Sequence, residues 1–205
     1  MTPTNIALVT CSTRDSRLGP FITAYVHEIL QEELSRRPES PRLSILDLAD
    51  QNLPLNNEPG IPSLLPESDP TPHYVYEHTR RWSTVVRQYD AFIFVTPQYN
   101  WSIPAALKNA LDYLFHEWKG KPVGIVTYGG RGGGKAGDHL QNILKAMRMH
   151  PAETMAAITV GRKTLEFCLA NGRASEEDKE AWRGSGVEGQ VRSMFAEILQ
   201  GSPGP

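Results

Sequence analysis

A chain of 205 residues, 40% hydrophobic and 21% charged, has enough apolar mass for one domain with a packed core, which excludes a disordered or collagen-like chain. A net charge of −2 excludes nucleic acid as the main partner, because neutralising phosphates takes concentrated basic surface. It also lacks the strong acidity of a small electron carrier that docks on basic partners.

Residues 5–10 form a continuous apolar run, the form of a strand buried on both faces. A polar turn over 11–17 leads into a helix over 18–34, where Phe21, Ile22, Tyr25, Val26, Ile29, Leu30 and Leu34 recur at helical spacing. Residues 42–48 read as a second strand. Six prolines and little periodicity between 50 and 72 indicate a long irregular loop. A helix is expected over 73–89 and a buried strand over 91–95, stopped by Pro97. Pro104 then opens a helix reaching Phe115, with Leu107, Ala110, Leu111 and Leu114 inward. A strand over 122–128, a glycine-rich loop, a helix over 138–149 and a strand over 154–160 follow. This alternation implies a parallel sheet with helices on both faces. Beyond 161 the pattern weakens. Ser175 starts a helix with acids in its first turn, residues 183–186 break it, and 190–199 form another short helix.

The early run at 6–9 is too short for a signal-peptide core or a membrane span, so a cytoplasmic protein with no membrane partner is expected. Two cysteines, Cys11 and Cys168, make neither a disulfide scaffold nor a multi-cysteine metal site. The six histidines have no ligand spacing, and no metal is expected. Cys11 reads as a small buried residue ending its strand.

Ligands of doubly wound sheets sit outside the carboxyl ends of the strands, and three such ends carry unusual residues. At 12–17, hydroxyls, helix-start amides, Arg14 and Arg17 suit a phosphate; an ordinary capped helix with solvated arginines suits the segment equally. At 96–101, an amide and two aromatics suit a flat heterocycle, although a turn with Tyr99 and Trp101 as edge packing is the plainer reading of those residues alone. At 128–135, five glycines in six positions let backbone amides approach a ligand. Gly129, Gly134 and Lys135 have phosphate-loop spacing, but Ala136 stands where Ser or Thr must hold magnesium, which excludes a nucleoside triphosphatase.

Taken together, TPQYNWSIPAALKNALD at 96–112, HEWKGKP at 116–122 and the Tyr128–Gly129–Gly130 loop resemble the NADPH-dependent FMN reductase family. That resemblance implies a flavodoxin-like three-layer α/β sandwich with a five-stranded parallel sheet in the order 2-1-3-4-5. Residues 1–160 would be the FMN-binding domain. Residues 161–205 would be a helical extension packed on it or at a dimer interface. Carried over, Ser12, Arg14 and Arg17 hold the FMN phosphate. Pro97, Gln98, Tyr99 and Asn100 line the isoalloxazine, with Tyr128, Gly129 and Gly130 on its pyrimidine side. The family also implies a homodimer, NADPH or NADH as co-substrate, and a quinone or other flat acceptor served in alternation. The hydride chemistry belongs to the flavin, and no protein acid or base is required. Arg131 and Lys135 are placed to stabilise negative charge on the pyrimidine edge. Two departures stand out: Cys11 replaces the family's usual glycine, and Gln98 replaces a glutamate common in bacterial relatives. A flavin-binding interaction protein, whose redox state controls partner binding while turnover is incidental, is the alternative.

Overall fold

The computed structural model describes residues 2–37 and 41–201. Strands β1 (Asn5–Thr10), β2 (Arg42–Asp47), β3 (Ala91–Pro97) and β4 (Pro122–Gly129) are parallel, in the order β2-β1-β3-β4. The fifth position beside β4 is shared by two short strands, β5 (His150–Pro151) and β6 (Ala156–Thr159). The expected order 2-1-3-4-5 is therefore present, with its last strand interrupted. The break has a cause in the chain. The backbone N–H groups of Glu153 and Thr154 donate to the Glu197 carboxylate at 2.6 and 3.3 Å, so a distant side chain replaces the ladder there.

Period-two alternation divides the apolar residues between two layers. Ile6, Leu8, Ile93, Val95, Val126 and Tyr128 face helix α1 (Gly19–Ser35) and helix α7 (Val187–Gln200). Ala7, Val9, Phe92, Phe94, Val123 and Ile125 face α2 (Glu77–Arg87), α3 (Ala105–Asp112) and α4 (Gly134–Ala146). Helices α5 (Arg162–Asn171) and α6 (Glu176–Gly184) bring Cys168 and Trp182 into the α1 layer. Residues 162–200 thus contribute to the same core as the sheet; residues 202–205 lie outside the described residues.

Several boundaries differ from the sequence pattern, each for a long-range reason. Pro97 does not stop β3 but ends it in register, opposite Tyr128. Helix α2 begins at Glu77 rather than 73, because the Glu58 carboxylate accepts the Val75 and Tyr76 N–H groups at 3.0 Å each and holds that backbone extended. Helix α3 ends at Asp112 rather than Phe115, where the indoles of Trp82 and Trp118 donate to the Ala110 and Leu111 carbonyls. Helix α4 starts at Gly134, inside the glycine run, because Gly132 and Gly133 take φ of 77° and 82° and turn the chain within three residues. Helix α5 falls in the stretch expected to be a helical extension, at a position that no periodicity in the sequence marks.

The 50–72 segment is irregular as expected, with single 3₁₀ turns at Ala49–Gln51, Pro62–Leu64 and Thr71–His73. It is strapped onto α3 by Asn109, whose side chain accepts from the Asn56 N–H at 2.8 Å and donates to the Pro54 carbonyl at 2.7 Å. The buried Glu117 carboxylate accepts from Ser83 Oγ at 2.6 Å and Tyr74 OH at 3.2 Å, joining α2 to the start of β4.

Lys121 donates from Nζ to the Val86 carbonyl at 3.0 Å, beside the Phe92 ring. Burial pushes its amine down from 10.5 to about 8, against the opposing pull of Asp90 and Glu117. Between those values the unfolded chain binds a proton that the folded chain does not, so this group makes stability rise with pH. Urea denaturation at pH 7.5 and pH 10 is expected to show a rise of up to about 3 kcal/mol from Lys121, absent in Lys121→Met. Equal pH dependence in the two proteins would contradict it.

Candidate functional site

The carboxyl ends of β1, β3 and β4 lie side by side, because those strands are neighbours with Thr10 opposite Val95 and Pro97 opposite Tyr128. The three loops that follow them are also bonded to one another. The Arg14 guanidinium sits 3.9 Å above the Tyr99 ring centre, linking the first loop to the second. The Gln98 side-chain oxygen accepts the Lys135 N–H at 3.0 Å, and the Gln98 N–H donates to the Tyr128 carbonyl at 3.0 Å, linking the second to the third. Sequence order alone separates these segments by some 120 residues; the sheet makes them one site.

The first loop has the character of an anion cradle. Helix α1 begins without a side-chain cap and without an acid in its first turn. Pro20 has no N–H and the Phe21 and Ile22 N–H groups bond to the Leu18 carbonyl, so the Gly19 N–H and the helix dipole face a negative group. Ser12 Oγ is buried there with no hydrogen-bond partner among the described residues, and so is the Tyr128 hydroxyl. A Cβ on Gly19 would lie 2.2 Å from Ser12 Oγ, so only glycine leaves this space open. Burial pushes the Tyr128 phenol well above its ordinary value.

Arg14 is exposed and forms no ion pair among the described residues. Arg17 is engaged differently. Both its terminal nitrogens meet the Asp47 carboxylate at 2.8 Å, and Nη1 also donates to the Ser12 carbonyl. The Asp47 hydrogen bond, opposed by burial, raises its already high value further. Arg17 therefore shapes the loop from β2, and Arg14 carries the uncompensated charge. Cys11 points into the α2–α3 core, and burial, reinforced by Asp47, pushes its thiol up, so it is not a reactive thiolate.

The second loop is a tight turn in which the N–H and carbonyl groups of Tyr99 and Ser102 bond reciprocally at 2.9 Å. Its two central residues, Asn100 and Trp101, have φ of 47° and 68°. Positive φ is uncommon for Asn and costly for Trp. The strain holds the Trp101 ring 70% exposed, and Ser102 Oγ fixes the turn to α4 through His139 Nδ1 at 2.6 Å. Beside it opens a cleft of about 600 Å³ lined by Gln98, Trp101, Gly130, Arg131, Lys135 and Asp138.

Of the residues singled out from sequence, Gln98, Trp101, Gly130, Arg131 and Lys135 line this cleft, and Gly129 sits under the glycine turn. Pro97 is buried at the strand end. Tyr128 divides its parts: its main chain adjoins Gly129 at the cleft, while its hydroxyl reaches across the sheet face to Gly19 and Ser12. Asp138 and the turn-bound His139 were not picked out, since an exposed acid and a lone histidine on a helix carry no motif. Among the described residues no group of three or more His, Cys, Asp or Glu is arranged to hold a metal ion, and no helix is long and apolar enough to cross a membrane.

Comparison with known proteins gives this geometry its context. The chain is 36% identical over 197 residues to the NAD(P)H-dependent FMN reductase ntnL of Nectria sp, covering 95% of each chain. It is 40% identical over 147 residues to the NAD(P)H-dependent FMN reductase LOT6 of Saccharomyces cerevisiae, covering 71% of this chain and 75% of that one. The fold matches FerB, a flavoenzyme NAD(P)H:(acceptor) oxidoreductase of Paracoccus denitrificans, with a TM-score of 0.65 at 21% identity, over 95% of this chain and 98% of that one. Residues 4–162 match the family model described as NADPH-dependent FMN reductase, and the chain belongs to that family.

Proposed function

We propose that this oxidoreductase passes two electrons from NADPH or NADH, through FMN held at the three loops, to a quinone or another flat acceptor, the two substrates using one face in turn. The observation that carries this reading is the open cleft at the ends of β3 and β4, beside the anion cradle at β1. FMN, when bound, supplies the hydride and electron chemistry.

The chain's residues supply binding and charge. Ser12, Arg14 and the Gly19 N–H at the start of α1 take the phosphate, with Arg17 holding the loop in shape. Pro97, Gln98, Tyr99 and Asn100 give one wall to the isoalloxazine, and the main chain at Tyr128, Gly129 and Gly130 approaches its pyrimidine side. Arg131 and Lys135 lie where negative charge on that edge is stabilised by cations and loop amides. Gln98 adds a neutral amide where a glutamate would repel such charge. The exposed Trp101 ring offers the incoming flat substrate a stacking wall.

We place the protein in the cytoplasm as a homodimer. Leu55, Ile61, Leu64 and Val75, each more than half exposed, project from the strap over α3 and the approach to α2, an apolar surface suited to a second copy. Initial rates with NADPH varied at several fixed benzoquinone concentrations test the alternation. Parallel double-reciprocal lines are expected, and lines that intersect would contradict a shared face.

A further inference from the structure

The two buried hydroxyls without partners are held by opposite ends of the site. Ser12 follows β1, whereas Tyr128 closes β4, with β3 between them. A Cβ placed on Gly19 would lie 2.2 Å from Ser12 Oγ and 3.2 Å from the Tyr128 oxygen, so both converge on the first turn of α1. Buried hydroxyls are almost always hydrogen-bonded, and one left unpaired is costly. Two of them converging on an uncapped helix N-terminus indicate a site completed by a ligand.

The chemistry fixes the direction of the hydrogen bonds. A phosphate oxygen only accepts, while a serine hydroxyl both accepts and donates. Burial keeps the Tyr128 phenol protonated, so it is a donor. We infer that Tyr128 is a further residue of the cofactor phosphate site: its hydroxyl and that of Ser12 are not bonded to each other in this structure, and each turns its proton toward a phosphate oxygen at the start of α1. This inference rests on the FMN reading above and adds a residue that the loop pattern of the phosphate site does not contain. It also makes one side chain report on both ends of the cofactor, since the Tyr128 main chain lies beside the cleft.

The experiment titrates apoprotein with FMN and, separately, with riboflavin, which lacks the phosphate, following quenching of flavin fluorescence. Tyr128→Phe removes one oxygen and preserves the ring that packs in the core. It is expected to weaken FMN binding about tenfold, the scale of one hydrogen bond to a charged partner, and to leave riboflavin binding within about twofold, inside the scatter of a surface-neutral change. Ser12→Ala is expected to have a similar effect. Unchanged FMN affinity in Tyr128→Phe, or equal loss of both flavins, would overturn the inference while leaving the FMN reading intact. Wild-type protein that binds riboflavin as tightly as FMN would overturn the phosphate site itself.

Discussion

Ending the chain after Val160 abolishes the cooperative fold. The family match closes at residue 162, yet part of the layer over one face of the sheet, packed beside α1, comes from beyond it. Helix α7 buries Val187, Val191, Met194, Phe195, Ile198 and Leu199 against α1 and β4. At about 1.5–3 kcal/mol for each buried side chain, these six contribute roughly 9–18 kcal/mol. That is comparable to the whole stability of an ordinary domain, about 5–15 kcal/mol. The seating is close: a Cβ on Gly124 would lie 2.6 Å from Met194 Sδ and 2.8 Å from Ile198 Cδ1. Trp182 adds an indole hydrogen bond to the Thr159 carbonyl at 2.9 Å and a ring contact with Tyr25 at 4.9 Å. The ion pairs of Arg192 with Glu32 and Glu33 on α1 add little, because pairs near the surface are screened. Thermal melting followed by circular dichroism is expected to show a sharp transition for the full chain and none for residues 1–160. A truncated chain that melts cooperatively and binds FMN would contradict this placement of the tail.

Gly19→Ala is the point substitution with the largest expected effect on cofactor binding. On propensity alone, alanine in a helix is favoured over glycine by about 1 kcal/mol, and Gly19 has no positive φ that would penalise a side chain. Space decides against it. The added Cβ lies 2.2 Å from Ser12 Oγ, 2.9 Å from Thr10 Cγ2 and 3.2 Å from the Tyr128 oxygen. Thr10 does not move freely, because its hydroxyl donates to Thr23 at 2.9 Å inside the core. Ser12 must therefore leave its position, and with it goes the hydrogen bond to the phosphate that we propose for it. Overpacking costs about 1–3 kcal/mol, which outweighs the propensity gain. Losing a charge-assisted bond of about 1.5–3 kcal/mol corresponds to a fall in FMN affinity of roughly 10- to 150-fold. Calorimetric titration of apoprotein with FMN measures it, with a melting scan alongside. A variant that melts higher and binds FMN as the parent does would show that the space at Gly19 is not a cradle.

The strands, and with them the three strand ends that lie side by side, were legible because buried parallel strands are written locally, as the runs 5–10 and 91–95 show. What escaped the sequence depends on partners far away in the chain. The start of α2 is set by Glu58, and the break in the fifth strand by Glu197. Both carboxylates look like ordinary surface acids in sequence. Helix α4 begins within glycines that read as loop, since the positive-φ pair at 132 and 133 makes a compact turn rather than a linker. Helix α5 carries only Thr164 and Cys168 buried, too few apolar positions to show a period. In the site, Arg17 looked equivalent to Arg14 until Asp47, at the end of β2, claimed its terminal nitrogens. The double role of Tyr128 follows from strand alternation, which sends its side chain to the α1 face while its backbone stays with the glycine loop. That direction becomes readable only once the sheet register and the layer holding α1 are known.

The most direct measurement is spectroscopic. The protein is purified with added FMN, freed of unbound flavin, and placed under anaerobic conditions. Absorbance near the flavin's visible band is then followed as NADPH and afterwards benzoquinone are added. Stoichiometric bound flavin that NADPH bleaches and benzoquinone restores is the expected result. Protein that retains no flavin, or whose bound flavin NADPH leaves oxidised, would contradict the assignment of this site.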